Sequence, residues 1–242
     1  MTYRPLFQRP LVAALGTLAF AACATVGGQQ PVAPATPSTA AARAANTADL
    51  ATVSDAAADS LLADVQSLAP QIRVGLRYAT SNNFTGAPIT GYEGNHAYLR
   101  REAAVALARV SRRAQAEGLA LYVFDAYRPV RATLAMVDWT ERTGRQNLIR
   151  DGYIASRSRH NLGLAIDLTL VDAATGEPLD MGTPFDTFSP AAHTANASGV
   201  ALENRHRLQR LMEAEGFVNY DQEWWHYTFD VPDPVRFDRV IH

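Results

Sequence analysis

Apolar residues Ile72, Val74 and Leu76 alternate with Arg73, Gly75 and Arg77, the period-two pattern of a strand, and lead into a turn-rich stretch over 81–94. Leu99, Ala103, Ala106, Val110 and Ala114 then recur at helical spacing until Gly118 interrupts the pattern, which predicts a core-facing helix. The apolar run 121–124 reads as a buried strand that empties into Asp125-Ala126-Tyr127-Arg128-Pro129, where the proline disfavours continuation of any regular element and leaves Arg128 in a loop at the strand end. Further along, the pattern predicts a helix over 131–141, a strand over 164–170, a helix over 202–215 closed by Gly216, and a last strand over 225–229. Such a mixture points to an α+β fold: a single compact domain with a small, mostly antiparallel sheet flanked by helices.

The amino-terminal part follows a different pattern. Arg4 and Arg9 precede an apolar run over 11–22 that ends in small residues before Cys23, the layout of a signal peptide. The run falls well short of the roughly 20 apolar residues that span a bilayer, so export is the stronger reading and a permanent membrane helix the weaker. Phe20-Ala21-Ala22-Cys23 is similar to a bacterial lipobox, which makes Cys23 a candidate for lipidation; an ordinary signal with an incidental cysteine is the alternative. Residues 24–58 are built from Ala, Pro, Thr, Ser and Gln and lack the apolar surface needed to offset ordering entropy. The expected organisation is therefore a signal peptide over 1–22, a lipidated, flexible tether over 23–58 and a folded domain over 59–242, in an exported, periplasmic protein anchored to a membrane, if at all, through Cys23.

Composition narrows the chemistry. With 242 residues, 48% of them hydrophobic, and a net charge of −2 without a basic stripe, the chain can bury one sizeable core and is a poor partner for nucleic acid. Cys23 is the only cysteine, which excludes an internal disulfide and a multi-cysteine metal site, so any metal must be held by His, Asp or Glu.

Two segments supply those residues: Ser158-Arg159-His160 through Asp167, and Glu223-Trp224-Trp225-His226. Asp167 lies on the predicted strand and His160 on the loop before it, with Gly163 and Ala165 small enough to leave space between them. Glu223 and His226 would point to opposite faces of an ideal strand, so the strand must start after Glu223 or be bulged there. Two imidazoles (His160, His226) and one carboxylate (Asp167), with a fourth position for water, suit one catalytic zinc ion at a face of the sheet. Glu223 is then the candidate base for that water, and Arg128, always protonated, the candidate stabiliser of an oxyanion. Taken singly each residue has a blander reading: Arg128 could merely hold Asp125, and Trp224 and Trp225 could be core packing. No HExxH helix motif is present.

The pattern Ser158-x-His160-x-x-Gly163-x-Ala165-x-Asp167 followed by Glu223-Trp224-Trp225-His226 resembles the D-alanyl-D-alanine dipeptidase family, the VanX-like branch of the zinc D,D-peptidases (peptidase family M15). The likeness extends to Tyr78-Ala79-Thr80, Asn83-Phe84-Thr85-Gly86, Asp125 to Pro129, and Met181-Gly182-Thr183-Pro184-Phe185-Asp186. The resemblance implies that His160, Asp167 and His226 match the zinc ligands, Glu223 the general base, and Arg128 the arginine that stabilises the transition state. It also implies that Tyr78, Ser158 and Asp186 bind a small D,D-dipeptide, Asp186 facing its ammonium end. Two rival readings remain: a D,D- or L,D-carboxypeptidase or endopeptidase that trims peptidoglycan stem peptides, and a wall-binding module without catalysis.

Overall fold

The computed structural model describes residues 50–242. The expected signal peptide, Cys23 and most of the tether lie outside the described residues. Ordered structure starts ahead of the expected boundary at Asp59: Thr52 bridges to Arg236, and helix α1 (Asp55–Leu61) begins behind Ser54, whose side chain accepts from the Ala57 N–H. Among the described residues no helix is long and apolar enough to cross a membrane.

The fold is α+β. After α1 come β1 (Leu62–Asp64), the short α2 (Val65–Leu68), β2 (Arg73–Val74), a 3-10 turn (Arg77–Ala79) and β3 (Tyr98–Arg100). Then follow α3 (Arg101–Ala116), β4 (Leu119–Asp125), α4 (Val130–Arg142), the single-turn α5 (Asn147–Arg150) and a second 3-10 turn (Arg159–Leu162). The chain ends with β5 (Ala165–Asp172), a third 3-10 turn (Pro190–Ala192), α6 (Gly199–Glu213), β6 (Val218–Tyr220) and β7 (Glu223–Thr228). The main sheet has the order β2-β4-β5-β7-β6; β2 runs parallel to β4 and every other neighbour is antiparallel. β1 and β3 form a separate antiparallel pair.

The apolar periodicity explains the core. On α3, Ala103, Ala106, Leu107, Val110 and Ala114 are fully buried and the helix packs on β4. β4 and β5 are buried on both faces, as their continuous apolar runs require, which makes them the sheet's interior strands. Leu99, expected on α3, belongs instead to β3, because the Arg100 N–H donates to the Gly163 carbonyl and the segment pairs with β1 before the helix starts.

Register places the chemistry. Across the three central strands Asp125 pairs with Asp167, and Asp167 with His226, so one row of the sheet carries two of the candidate ligands beside Asp125, the carboxylate that Arg128 could hold. Asp125 reaches that row through a register shift between Val123 and Asp125.

Candidate active site

His160 sits on the 3-10 turn before β5. Ser158 caps this turn, its Oγ accepting from the His160 N–H at 3.2 Å, and Gly163 ends it at φ 62°. A Cβ at Gly163 would lie 2.7 Å from Leu62 Cδ2 and 3.0 Å from the Arg100 nitrogen, so this glycine is small because the β1–β3 pair passes close by, not to make room for a metal. Asn161, next to the candidate ligand His160, donates to the Arg128 carbonyl (2.9 Å) and Thr133 Oγ1 (2.9 Å), while the Arg128 N–H donates to the His160 carbonyl (3.0 Å). The two loops that carry Arg128 and His160 are thus tied to each other.

The three candidate ligands converge. His160 Nε2 is 3.2 Å from His226 Nδ1 and 3.4 Å from Asp167 Oδ1, and His226 Nδ1 is 2.8 Å from the same oxygen. Tetrahedral zinc with ligands at about 2.0–2.1 Å would set ligand atoms about 3.3 Å apart, close to the spacing found. The Ala126 carbonyl accepts a hydrogen bond from His160 Nδ1 at 2.6 Å; a carbonyl can only accept, so Nδ1 carries the proton and Nε2 offers its lone pair. Burial opposes ionisation of Asp167, yet His160 and His226 outweigh it and hold this carboxylate below the usual range. Burial lowers the His226 pKa, which favours the neutral imidazole a metal needs. The donor set fits a divalent cation, and His160, Asp167 and His226 are the residues that could hold it.

Glu223 opens β7, and its Oε2 lies 3.9 Å from His226 Nδ1. The expected break in alternation is present: pairing of β6 with β7 shifts between Asn219 and Tyr220, so that Asn219 faces Tyr227 whereas Tyr220 faces Glu223. Both Trp224 and Trp225 are buried, and the Trp224 indole N–H donates to Thr183 Oγ1 at 2.9 Å; both pack in the core, and Trp225 also forms part of the cleft wall. Burial, followed by Asp167 and Asp186, raises the Glu223 pKa well above the ordinary carboxylate range.

Arg128 is buried, and its Nε and Nη2 donate to Asp125 Oδ2 at 3.0 and 2.8 Å. Asp125 also accepts from the Tyr92 hydroxyl at 2.6 Å. The blander reading of Arg128 is therefore partly right, but the same guanidinium lies 3.8 Å from Asp167 Oδ2 and over the Tyr78 ring at 5.1 Å. Burial works against the cation, and Asp125, Tyr78, Tyr92 and Asp167 together more than offset it, so Arg128 stays charged. Tyr92 carries no signal in the sequence, whereas Asp125 is legible there as a carboxylate that Arg128 could hold.

Asp186 stands in the left-handed region at φ 61°, on the loop between β5 and α6. Its Oδ1 accepts from the Tyr78 hydroxyl at 3.0 Å, and its Oδ2 is buried with no partner among the described residues. An unpartnered buried oxygen is costly unless a ligand satisfies it. Burial, with Asp167 second, pushes the Asp186 carboxyl up to about 8. The loop is held by Arg205, which is fully buried and donates from Nε to the Met181 carbonyl (2.8 Å), from Nη1 to that of His193 (2.7 Å) and from Nη2 to that of Ala191 (3.1 Å). His193 is half-buried, with its Nε2 3.2 Å from the Tyr153 hydroxyl, whereas His96, His206 and His242 are exposed.

All of Tyr78, Arg128, Ser158, His160, Asp167, Asp186, Glu223 and His226 line one cleft of about 880 Å3. The family profile described as D-ala-D-ala dipeptidase, of peptidase family M15, matches residues 58–240. The chain belongs to that family. This M15 peptidase is 38% identical over 183 residues to a D-alanyl-D-alanine dipeptidase of Enterococcus faecium, covering 69% of this chain and 90% of that one. It is 35% identical over 178 residues to a D-alanyl-D-alanine dipeptidase of Escherichia coli (strain K12), covering 73% of this chain and 87% of that one. A solved vancomycin-resistance D,D-dipeptidase in complex with a D-Ala-D-Ala phosphinate analogue aligns at 16% identity and a TM-score of 0.37, over 70% of this chain and 66% of that one.

Proposed function

We propose that this peptidase hydrolyses D-Ala-D-Ala with one zinc ion held by His160, Asp167 and His226. The observation that carries the reading is the unpartnered Asp186 Oδ2 in the same cleft as the three converging ligands. A free amino terminus is a cation, and a fixed carboxylate rewards it with a charge-assisted hydrogen bond. The relatives named above, called D-alanyl-D-alanine dipeptidases, support the same substrate.

Bound zinc would acidify a water molecule and polarise the peptide carbonyl. Glu223, 3.9 Å from His226, is the group placed to accept a proton from water at this point and to return it to the leaving amine; a cation held by the three ligands would favour its ionised form against the burial that raises its pKa. Arg128, oriented by Asp125 and Tyr78, faces the negative charge that grows on the carbonyl oxygen. Ser158 shapes the turn under His160 as well as lining the cleft. Export, with Cys23 as a lipid anchor, is proposed on the amino-terminal sequence pattern alone.

Zinc-reconstituted protein is expected to release D-alanine from D-Ala-D-Ala and to spare N-acetyl-D-Ala-D-Ala, which lacks the ammonium group. A cleft of about 880 Å3 is large for a dipeptide and supports a second reading, in which stem peptides are trimmed. Cleavage of a stem pentapeptide in preference to the free dipeptide would establish that second reading; purified protein that retains no zinc and cleaves neither would point to a wall-binding role.

Asp186→Asn tests the ammonium site. Losing a charge-assisted bond should lower kcat/KM by about 10- to 100-fold, mostly through KM. Because Asp186 is pushed up to about 8, the parent's kcat/KM should climb above neutrality as the carboxylate forms, then fall as the substrate's own amine, with a pKa of about 8, loses its proton. Stability should move the opposite way. The folded pKa exceeds the unfolded value of about 3.9, so this group's contribution is complete below about pH 4 and is lost as pH rises through about 8. Asn does not titrate, so the metal-free variant should melt above the metal-free parent at about pH 9, a difference that thermal denaturation across pH would measure.

A further inference from the structure

The β7 break that lets Glu223 and His226 serve one centre has a fastener of its own. Asn219, on β6, donates from a single Nδ2 to the Glu223 carbonyl at 3.1 Å and to the His226 carbonyl at 3.0 Å. Those carbonyls bound the stretch where the β6–β7 register jumps, from Asn219 facing Tyr227 to Tyr220 facing Glu223. An amide nitrogen has two hydrogens, and both are spent on the two ends of the bulge. The orientation of the amide is fixed from behind: Thr194 Oγ1 donates to Asn219 Oδ1 at 2.6 Å, and the Thr194 N–H donates to the Asp221 carbonyl at 2.8 Å, gripping the turn between the strands. Thr194 is itself buried, whereas Asn219 is half-buried at the edge of the cleft.

Without a bulge, residues three apart on a strand point to opposite faces. Clamping their carbonyls to one amide fixes the spacing of the two peptide units and with it the distance from the Glu223 carboxylate to the His226 ring. Asn219 borders the cleft, but its amide hydrogens and oxygen are spent on Glu223, His226 and Thr194. We infer that Asn219 is a positioning residue that holds the base and one metal ligand in working geometry through their backbone. Thr194 locks it in place. This inference rests on the zinc peptidase reading above.

The test uses the full chain. Asn219→Ala should weaken zinc binding about 10- to 100-fold, read by competition with a chromogenic chelator, and lower kcat by a similar factor. KM for D-Ala-D-Ala should stay within about twofold, since Tyr78 and Asp186 are on other segments and uniform binding is untouched. The visible absorption of the cobalt(II)-substituted variant should differ from the parent's, a change that a purely structural loss would not produce. Thr194→Val, which removes only the bond that orients the amide, should shift zinc affinity and kcat in the same direction by about two- to tenfold, and it keeps the inference testable if Asn219→Ala does not fold. Asn219→Ala with parental zinc affinity, cobalt spectrum and kcat would overturn the inference whatever its melting temperature; so would an unchanged Thr194→Val if the alanine variant is insoluble. A parent protein that binds no zinc and leaves the dipeptide intact would instead refute the underlying function.

Discussion

Glu223→Gln is expected to retain the metal and lower kcat by about 10²–10⁴, the range associated with loss of a positioned proton acceptor. Gln keeps the size of Glu and its place at the start of β7, and none of the three ligand atoms comes from it. Zinc content should therefore match the parent's, and KM should change little. The variant should also gain stability when metal-free. The Glu223 carboxyl is buried near Asp167 and Asp186, and its pKa is raised, so the parent loses stability as pH rises and this group is forced to ionise. A neutral amide avoids that penalty. Thermal melts of the stripped proteins at alkaline pH, set beside steady-state kinetics of the zinc forms, check both halves. Preserved turnover would remove Glu223 from the mechanism, and loss of zinc would make it a ligand.

Arg128→Met should have the second-largest effect, and on two observables at once. Loss of a donor aimed at developing negative charge lowers kcat by about 10²–10³. Removing the cation also strands Asp125, fully buried beside Asp167 with Tyr92 as its remaining donor, and breaking a buried pair in this way costs about 3–5 kcal/mol. The double variant Asp125→Asn/Arg128→Met separates the two: it should recover much of the stability and none of the activity. Full recovery of activity in the double variant would make Arg128 a mere counter-ion for Asp125.

Much of this architecture is legible from the chain because it follows from periodicity and parity. The strand expected over 121–124 is β4, the helix over 131–141 is α4, and the strand over 164–170 is β5, each displaced only at its ends. Parity even requires the break in β7, since Glu223 and His226 cannot otherwise share a face. Short elements escape such reasoning: β1, β3 and β6 each span three residues, too few for a period to be visible, and they form only because a partner strand is available. The alternation over 72–76 overstates β2, whose pairing with β4 covers Arg73 and Val74 alone. Gly163 illustrates the other limit. Its smallness is visible, but the reason, a crossing segment from residues far away in sequence, exists only in three dimensions. The same holds for the supports of the site: that Tyr92 reaches Asp125, or that Asn219 spans a register shift, depends on which strands become neighbours.

The loop that carries Asp186 is fastened to α6 by Arg205 through main-chain carbonyls only, while the three candidate ligands belong to β5, β7 and the turn before β5. Ruler and blade are thus distinct parts riveted together, because Thr183 and Thr194, on the same strap of chain as Asp186, bond Trp224 and Asn219 beside the cutting edge. Rebuilding that strap to gauge a longer peptide would have to keep both rivets.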